Sequence, residues 1–157
     1  MTPPRPQTLP TILLILHTPN GSPGYVGQAF KNHGFALKEV RTCHEPLPHD
    51  LSRYAGVVSF GGPMSANDES LELIRNELRW LPQVLRAQLP FLGICLGAQM
   101  MARVLGAQVS RHPECLLEAG YYPIEPTPEG RSTFGGPMAV YHWHQEGFTL
   151  PRSAVLL

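Results

Sequence analysis

Apolar residues fall into short runs separated by helical periodicities. Ile12 to Leu16 is one such run, followed by a short helical pattern from Tyr25 to His33 that Gly34 ends, and then by FALKEV at 35–40. These segments predict a strand, a helix and a second strand. GVVSF at 56–60 predicts a third strand, closed by Gly61-Gly62-Pro63, where the chain turns without side-chain obstruction. Leu71, Ile74, Leu78, Leu81 and Leu85 then recur at spacings of three and four, which predicts one face of a helix capped by Asn67 or Asp68 and kinked at Pro82. After Pro90, FLGIC predicts a fourth strand, and LGAQMMARVLG a helix stopped by Gly106. Further strands are expected at 107–110, 120–124 and 139–143, with a Pro/Gly-rich stretch from Pro126 to Pro137 between the last two.

Strands alternating with helices predict an α/β fold, a mostly parallel sheet covered by helices on both faces, with ligands bound beyond the carboxyl ends of its strands. Both Gly61-Gly62 and Cys95 fall at such ends. The opening segment 1–10 holds four of the 17 prolines and no apolar period, so it predicts a flexible tail before a single domain at 11–157. No internal repeat is visible.

Composition narrows the classes of function. Twelve basic residues balance twelve acidic ones, so no net field favours nucleic acid or an anionic membrane. The run at 12–16 is far short of the ~18 apolar residues of a membrane span. Three cysteines, Cys43, Cys95 and Cys115, fit neither a disulfide framework nor a zinc-ligand spacing, which points to a reducing cytoplasm and no metal. Cys43 and Cys115 read as buried or incidental thiols. No phosphate loop or dinucleotide fingerprint implies a cofactor.

Chemistry concentrates at Gly93-Ile94-Cys95-Leu96-Gly97. In a Gly-x-nucleophile-x-Gly segment the glycines permit a sharp strand-to-helix turn that pushes the central side chain out of the sheet. A thiol there meets the amides and dipole of a helix N-terminus, which favour the thiolate, and the Leu96 amide can point at a developing oxyanion. A lone cysteine beside an apolar strand is more often a small core residue; the pentapeptide and its setting favour the nucleophile.

Together, Gly61-Gly62-Pro63, Gly93-Ile94-Cys95-Leu96-Gly97-Ala98-Gln99 and His142-Trp143-His144 resemble the successive signatures of class I glutamine amidotransferases. Pro63 to Asp68 and Ala119 to Pro123 are most similar to the stand-alone type related to the amidotransferase domain of GMP synthase. The resemblance implies a flavodoxin-like sheet and glutamine, or another γ-glutamyl compound, as substrate. It implies Cys95 as the nucleophile that forms a γ-glutamyl thioester, the amides of Gly62 and Leu96 as the oxyanion hole, and Gln99 as a substrate contact. Ammonia would pass to a synthase partner, and water would release glutamate.

The pattern also departs from the family. There a downstream His-Pro-Glu segment supplies the base and its orienter, and this chain reaches Leu157 before such a strand, so the resemblance implies a domain incomplete at its C-terminus, with an exposed sheet edge. His112-Pro113-Glu114 lies too early and reads as coincidence. At 142–151 the chain resembles the family's His-Gly-Asp-x-Phe stretch, with Gln145-Glu146 in place of Gly-Asp. His144 and Glu146, two apart, are a candidate substitute base and orienter, although strand alternation alone puts both on one face. Two alternatives remain open: a non-catalytic relative that binds glutamine or a partner subunit, and a DJ-1-like cysteine hydrolase or chaperone.

Overall fold

The computed structural model describes residues 9–157, so the Pro-rich segment 1–10 lies outside the described residues except for Leu9 and Pro10. Strand β1 (Thr11–Leu16) leads through helix α1 (Gly24–Asn32) to β2 (Ala36–Arg41) and β3 (Tyr54–Ser59). Helix α2 (Glu72–Arg86), β4 (Phe91–Gly93) and α3 (Leu96–Val104) follow. Then come β5 (Val109–Arg111), β6 (Glu118–Ile124), the one-turn α4 (Arg131–Phe134), β7 (Met138–His144) and β8 (Glu146–Phe148).

The first four strands form one parallel sheet in the order β2-β1-β3-β4. Because side chains alternate across a strand, β1 sends Leu13 and Ile15 to one face and Ile12 and Leu14 to the other. Leu13 and Ile15 join Ile74, Leu81, Val84, Leu96 and Met100 of α2 and α3 in the main core, while Ile12, Leu14 and Val58 pack against Val26 and Phe30 of α1. Helices therefore cover both faces, as the alternation of elements predicts. The remaining strands stand apart as two antiparallel ladders, β5 with β8 and β6 with β7. β4 is an edge of the parallel sheet, and its Leu92 is 45% exposed.

Two local expectations are corrected. The expected stripe of α2 faces the main core at Leu71, Ile74, Leu78 and Leu81, but Leu85 points outward at 41% exposure, and the buried face also takes in Glu77, Trp80 and Val84. Glu77 tolerates burial because both carboxylate oxygens are hydrogen-bonded, and the Trp80 indole N–H donates to the Pro48 carbonyl at 2.7 Å. Neither Asn67 nor Asp68 caps α2. Leu71 holds that position without a side-chain bond, and Asn67 instead donates to the Val109 carbonyl at 2.9 Å. Pro82 is inside the helix, which continues past it to Arg86. Finally, β8 and α4 carry no apolar period and escape a sequence reading.

The corrected helix face has a measurable consequence. In urea unfolding, Leu81→Ala is expected to cost about 2–5 kcal/mol, the range for truncating a fully buried leucine, and Leu85→Ala less than about 1 kcal/mol as a surface change. Equal losses would place Leu85 in the core with the rest of the stripe.

Candidate active site

At the carboxyl end of β4 the chain reverses into α3 through Cys95, whose backbone takes φ 52° and ψ −110°. A non-glycine residue in that region costs on the order of 1–3 kcal/mol and persists only where its surroundings impose it. The flanking glycines are the imposing groups. A Cβ on Gly97 would lie 2.2 Å from the Ser59 carbonyl oxygen, and one on Gly93 2.7 Å from the Ala98 backbone. The helix start is thus pressed against the end of β3. It is latched there by Gly97 N–H donating to the Phe60 carbonyl at 3.2 Å and Ile94 N–H to the Ser59 carbonyl at 2.9 Å.

This turn lifts the Cys95 thiol into an open cavity of about 240 Å³, below the ~300–1,000 Å³ typical of drug-sized ligands and suited to one of amino-acid size. Gly62, Ser65, Gln99, Arg111, His144 and Glu146 line it with Cys95. The structure therefore gathers the sequence-predicted residues around one space, with Leu96 contributing its backbone. The loop after β3 is close enough that a Cβ on Gly61 would sit 3.3 Å from that of Cys95. Among the described residues no backbone acceptor takes the Gly62 N–H.

Partial burial pushes the Cys95 thiol above its ordinary pKa, and the Leu96 amide, hydrogen-bonded to the sulfur, only partly offsets this. Position at a helix N-terminus therefore does not lower the thiol pKa here, contrary to the sequence expectation. No imidazole is hydrogen-bonded to the thiol among the described residues.

His144 and Glu146 do not form a dyad. His144 Nε2 is paired with Glu118 at 2.9 Å, while Glu146 accepts from the Ser65 hydroxyl at 2.9 Å. The reason is register: His144 lies opposite Glu118 in the β6–β7 ladder, whereas Glu146 has already entered β8 beside Arg111. His142 Nδ1 also donates to Glu118, at 2.8 Å, and holds that carboxyl below its usual range. Glu118, His142 and His144 are the one group of side chains among the described residues that converges closely enough to hold a metal, and their hydrogen bonds to one another already account for the arrangement. Gln99 donates its side-chain amide to the Glu146 carbonyl at 2.8 Å, which commits that nitrogen to the protein. His112-Pro113-Glu114 forms an exposed turn outside the cavity. Cys43 and Cys115 are free and exposed, not buried. Sequence reasoning missed Arg111 and Glu118 because only the folding of β5 to β8 carries them to the site, and Ser65 because its partner Glu146 is 81 positions away.

No helix among the described residues is long and apolar enough to cross a membrane. The family model described as glutamine amidotransferase class-I matches residues 26–155. YfeJ, a glutamine amidotransferase-like protein of Salmonella typhimurium, is 31% identical over 153 residues, covering 91% of this chain and 63% of its own length. A glutamine-hydrolyzing GMP synthase of Lactobacillus gasseri is 34% identical over 119 residues, 71% of this chain and 22% of the synthase. The crystal structure of a glutamine amidotransferase from Thermotoga maritima superposes with a TM-score of 0.86 at 32% identity, over 95% of this chain and 66% of that one. The chain thus spans just under two thirds of the YfeJ and Thermotoga relatives.

The raised thiol is directly testable. Alkylation of Cys95 by iodoacetamide, followed by mass spectrometry, is expected to rise with pH through a midpoint above the ~8.5 of a free cysteine. A midpoint near or below neutrality would mean that another group activates the sulfur.

Proposed function

The chain belongs to the class I glutamine amidotransferase family, and from that premise we propose that its cavity binds glutamine and that Cys95 attacks the side-chain amide. What supports this reading is the strained elbow that puts Cys95 in the cavity lined by Gly62, with the Leu96 amide hydrogen-bonded to its sulfur. Attack by the thiolate forms a C–S bond and moves the carbonyl electron pair onto oxygen, which the amides of Gly62 and Leu96 would stabilise. Collapse of that intermediate, with a proton delivered to nitrogen, releases ammonia and leaves a γ-glutamyl thioester. Water then cleaves the C–S bond, giving glutamate and returning the thiol. Net, one glutamine and one water become glutamate and ammonia.

Arg111 on the cavity wall suits the α-carboxylate of glutamine, and Glu146 suits its ammonium group. Because relatives include glutamine-hydrolyzing GMP synthases, we infer that the ammonia is passed to a synthase partner. Three free thiols suit a reducing compartment such as the cytoplasm.

A second reading, a non-catalytic glutamine binder, is favoured by one observation. Cys95 has a raised pKa and no bonded imidazole, and the pocket histidine is held by Glu118. Without a base to take its proton the thiol is a weak nucleophile, and slow or absent turnover follows.

Ammonia and glutamate release from glutamine by the purified 157-residue chain decides between them. We expect Cys95→Ala to remove all activity; if His144→Ala also lowers it by about 10²-fold or more, the range for a general base, His144 is the proton acceptor. A folded wild-type chain that binds glutamine but releases no ammonia would leave the binding reading alone.

A further inference from the structure

The most deeply buried polar groups lie behind the cavity. His17 follows β1, Ser59 ends β3 and Glu77 is on α2; the side chains of His17 and Glu77 have no solvent exposure. Glu77 accepts the Ser59 hydroxyl at 2.6 Å on Oε1 and pairs with His17 Nε2 at 2.7 Å on Oε2. The other ring nitrogen, Nδ1, faces the Gly61 carbonyl oxygen at 3.4 Å. His17 therefore stands between two acceptors. Both contacts are donated only if the ring carries a proton on each nitrogen, or if the Glu77 carboxyl holds one of the two.

We propose that the buried His17–Glu77 pair is a positioning device for the oxyanion hole, pinning the Gly61–Gly62 peptide so that the Gly62 N–H faces Cys95. In a trans peptide the C=O and N–H point in opposite directions. A carbonyl drawn inward to His17 therefore turns the next N–H outward, toward the cavity. Glycine on both sides of that peptide leaves its rotation cheap, so an outside contact has to choose the orientation. Space leaves the loop little freedom to move as a body: a Cβ on Gly62 would lie 3.0 Å from His17 Cβ and 3.0 Å from Leu96 Cδ2. The Nδ1 contact is long, and a charged ring strengthens it. A buried ion pair adds little net stability over apolar side chains of equal volume, so stability alone gives no reason for one at this point. Glu77 on α2 is the charged side chain that contacts His17; β3 contributes the Ser59 hydroxyl through Glu77, and the loop contributes the Phe60 and Gly61 carbonyls. Burial alone would lower the His17 pKa, but the bond to Glu77 and its charge outweigh it and raise the value above the ordinary one.

This inference rests on the reading of Cys95 and Gly62 given above, and the test separates the two. The full chain is treated with a chloromethyl ketone analogue of glutamine, whose carbonyl occupies the place of the side-chain amide. Attack of the thiolate forms a C–S bond and expels chloride. Iodoacetamide is the reference, because it needs neither the glutamine contacts nor the hole, and mass spectrometry reads the ratio of the two rates at Cys95. Wild-type chain should favour the glutamine analogue. Glu77→Gln keeps the shape but not the charge, and should lower the ratio about tenfold or more, toward the ~10²–10³-fold cost of losing an oxyanion donor, with the iodoacetamide rate retained. In the wild type the ratio should fall as pH rises through the raised His17 value, since the extra proton is present below it and lost above it; thiol ionisation cancels between the reagents. This second arm needs no variant and stands if Glu77→Gln does not fold. An unchanged ratio in a folded Glu77→Gln chain, or a flat wild-type pH profile, overturns the positioning role. No preference for the glutamine analogue in the wild type overturns the underlying reading and this inference with it.

Discussion

Everything at the site depends on how closely α3 approaches the end of β3. Gly97 lets the helix start within contact of the Ser59 backbone, where any side chain would collide with main-chain atoms that cannot yield. With both ends of the turn held, Cys95 has no relaxed backbone conformation left and accepts a positive φ. The strain is local and the main core holds it in place, because Leu96 and Met100 of the same helix are buried with Leu13, Ile15 and the residues of α2. The elbow thus presents its sulfur to the cavity from a helix anchored in the main core.

Electrostatics at the cavity runs in two layers. In front, Cys95 is raised, and the histidines of β7 are drawn to Glu118 and away from the thiol. Behind, His17 and Glu77 form a dry pair that reaches the glycine loop from the core side. The front layer sits on small antiparallel ladders that expose Tyr121, Tyr141 and Trp143, and the back layer on the parallel sheet and α2. Titration of the thiol therefore answers to its burial and to the Leu96 amide, whereas the glycine loop beside it is contacted from the core by His17.

Much of the architecture was legible along the chain. Apolar runs and period-3.6 patterns place four strands and three helices within a few residues of where they lie, and the Gly-Ile-Cys-Leu-Gly segment marks the turn that carries Cys95. The family was legible in the same few residues. What the linear pattern could not carry was pairing. That the buried face of α2 also takes in Glu77 depends on His17 and Ser59, 60 and 18 positions away. Likewise the partner of His144 is not Glu146, two residues on, but Glu118 across a ladder whose register the whole hairpin sets. Sequence by itself determined where the strands and helices fall and which turn carries the cysteine, since these are read from neighbouring residues. Tertiary structure alone decided which carboxylate meets which histidine and how the thiol titrates, because hydrogen bonds and burial depend on groups that only folding brings within reach.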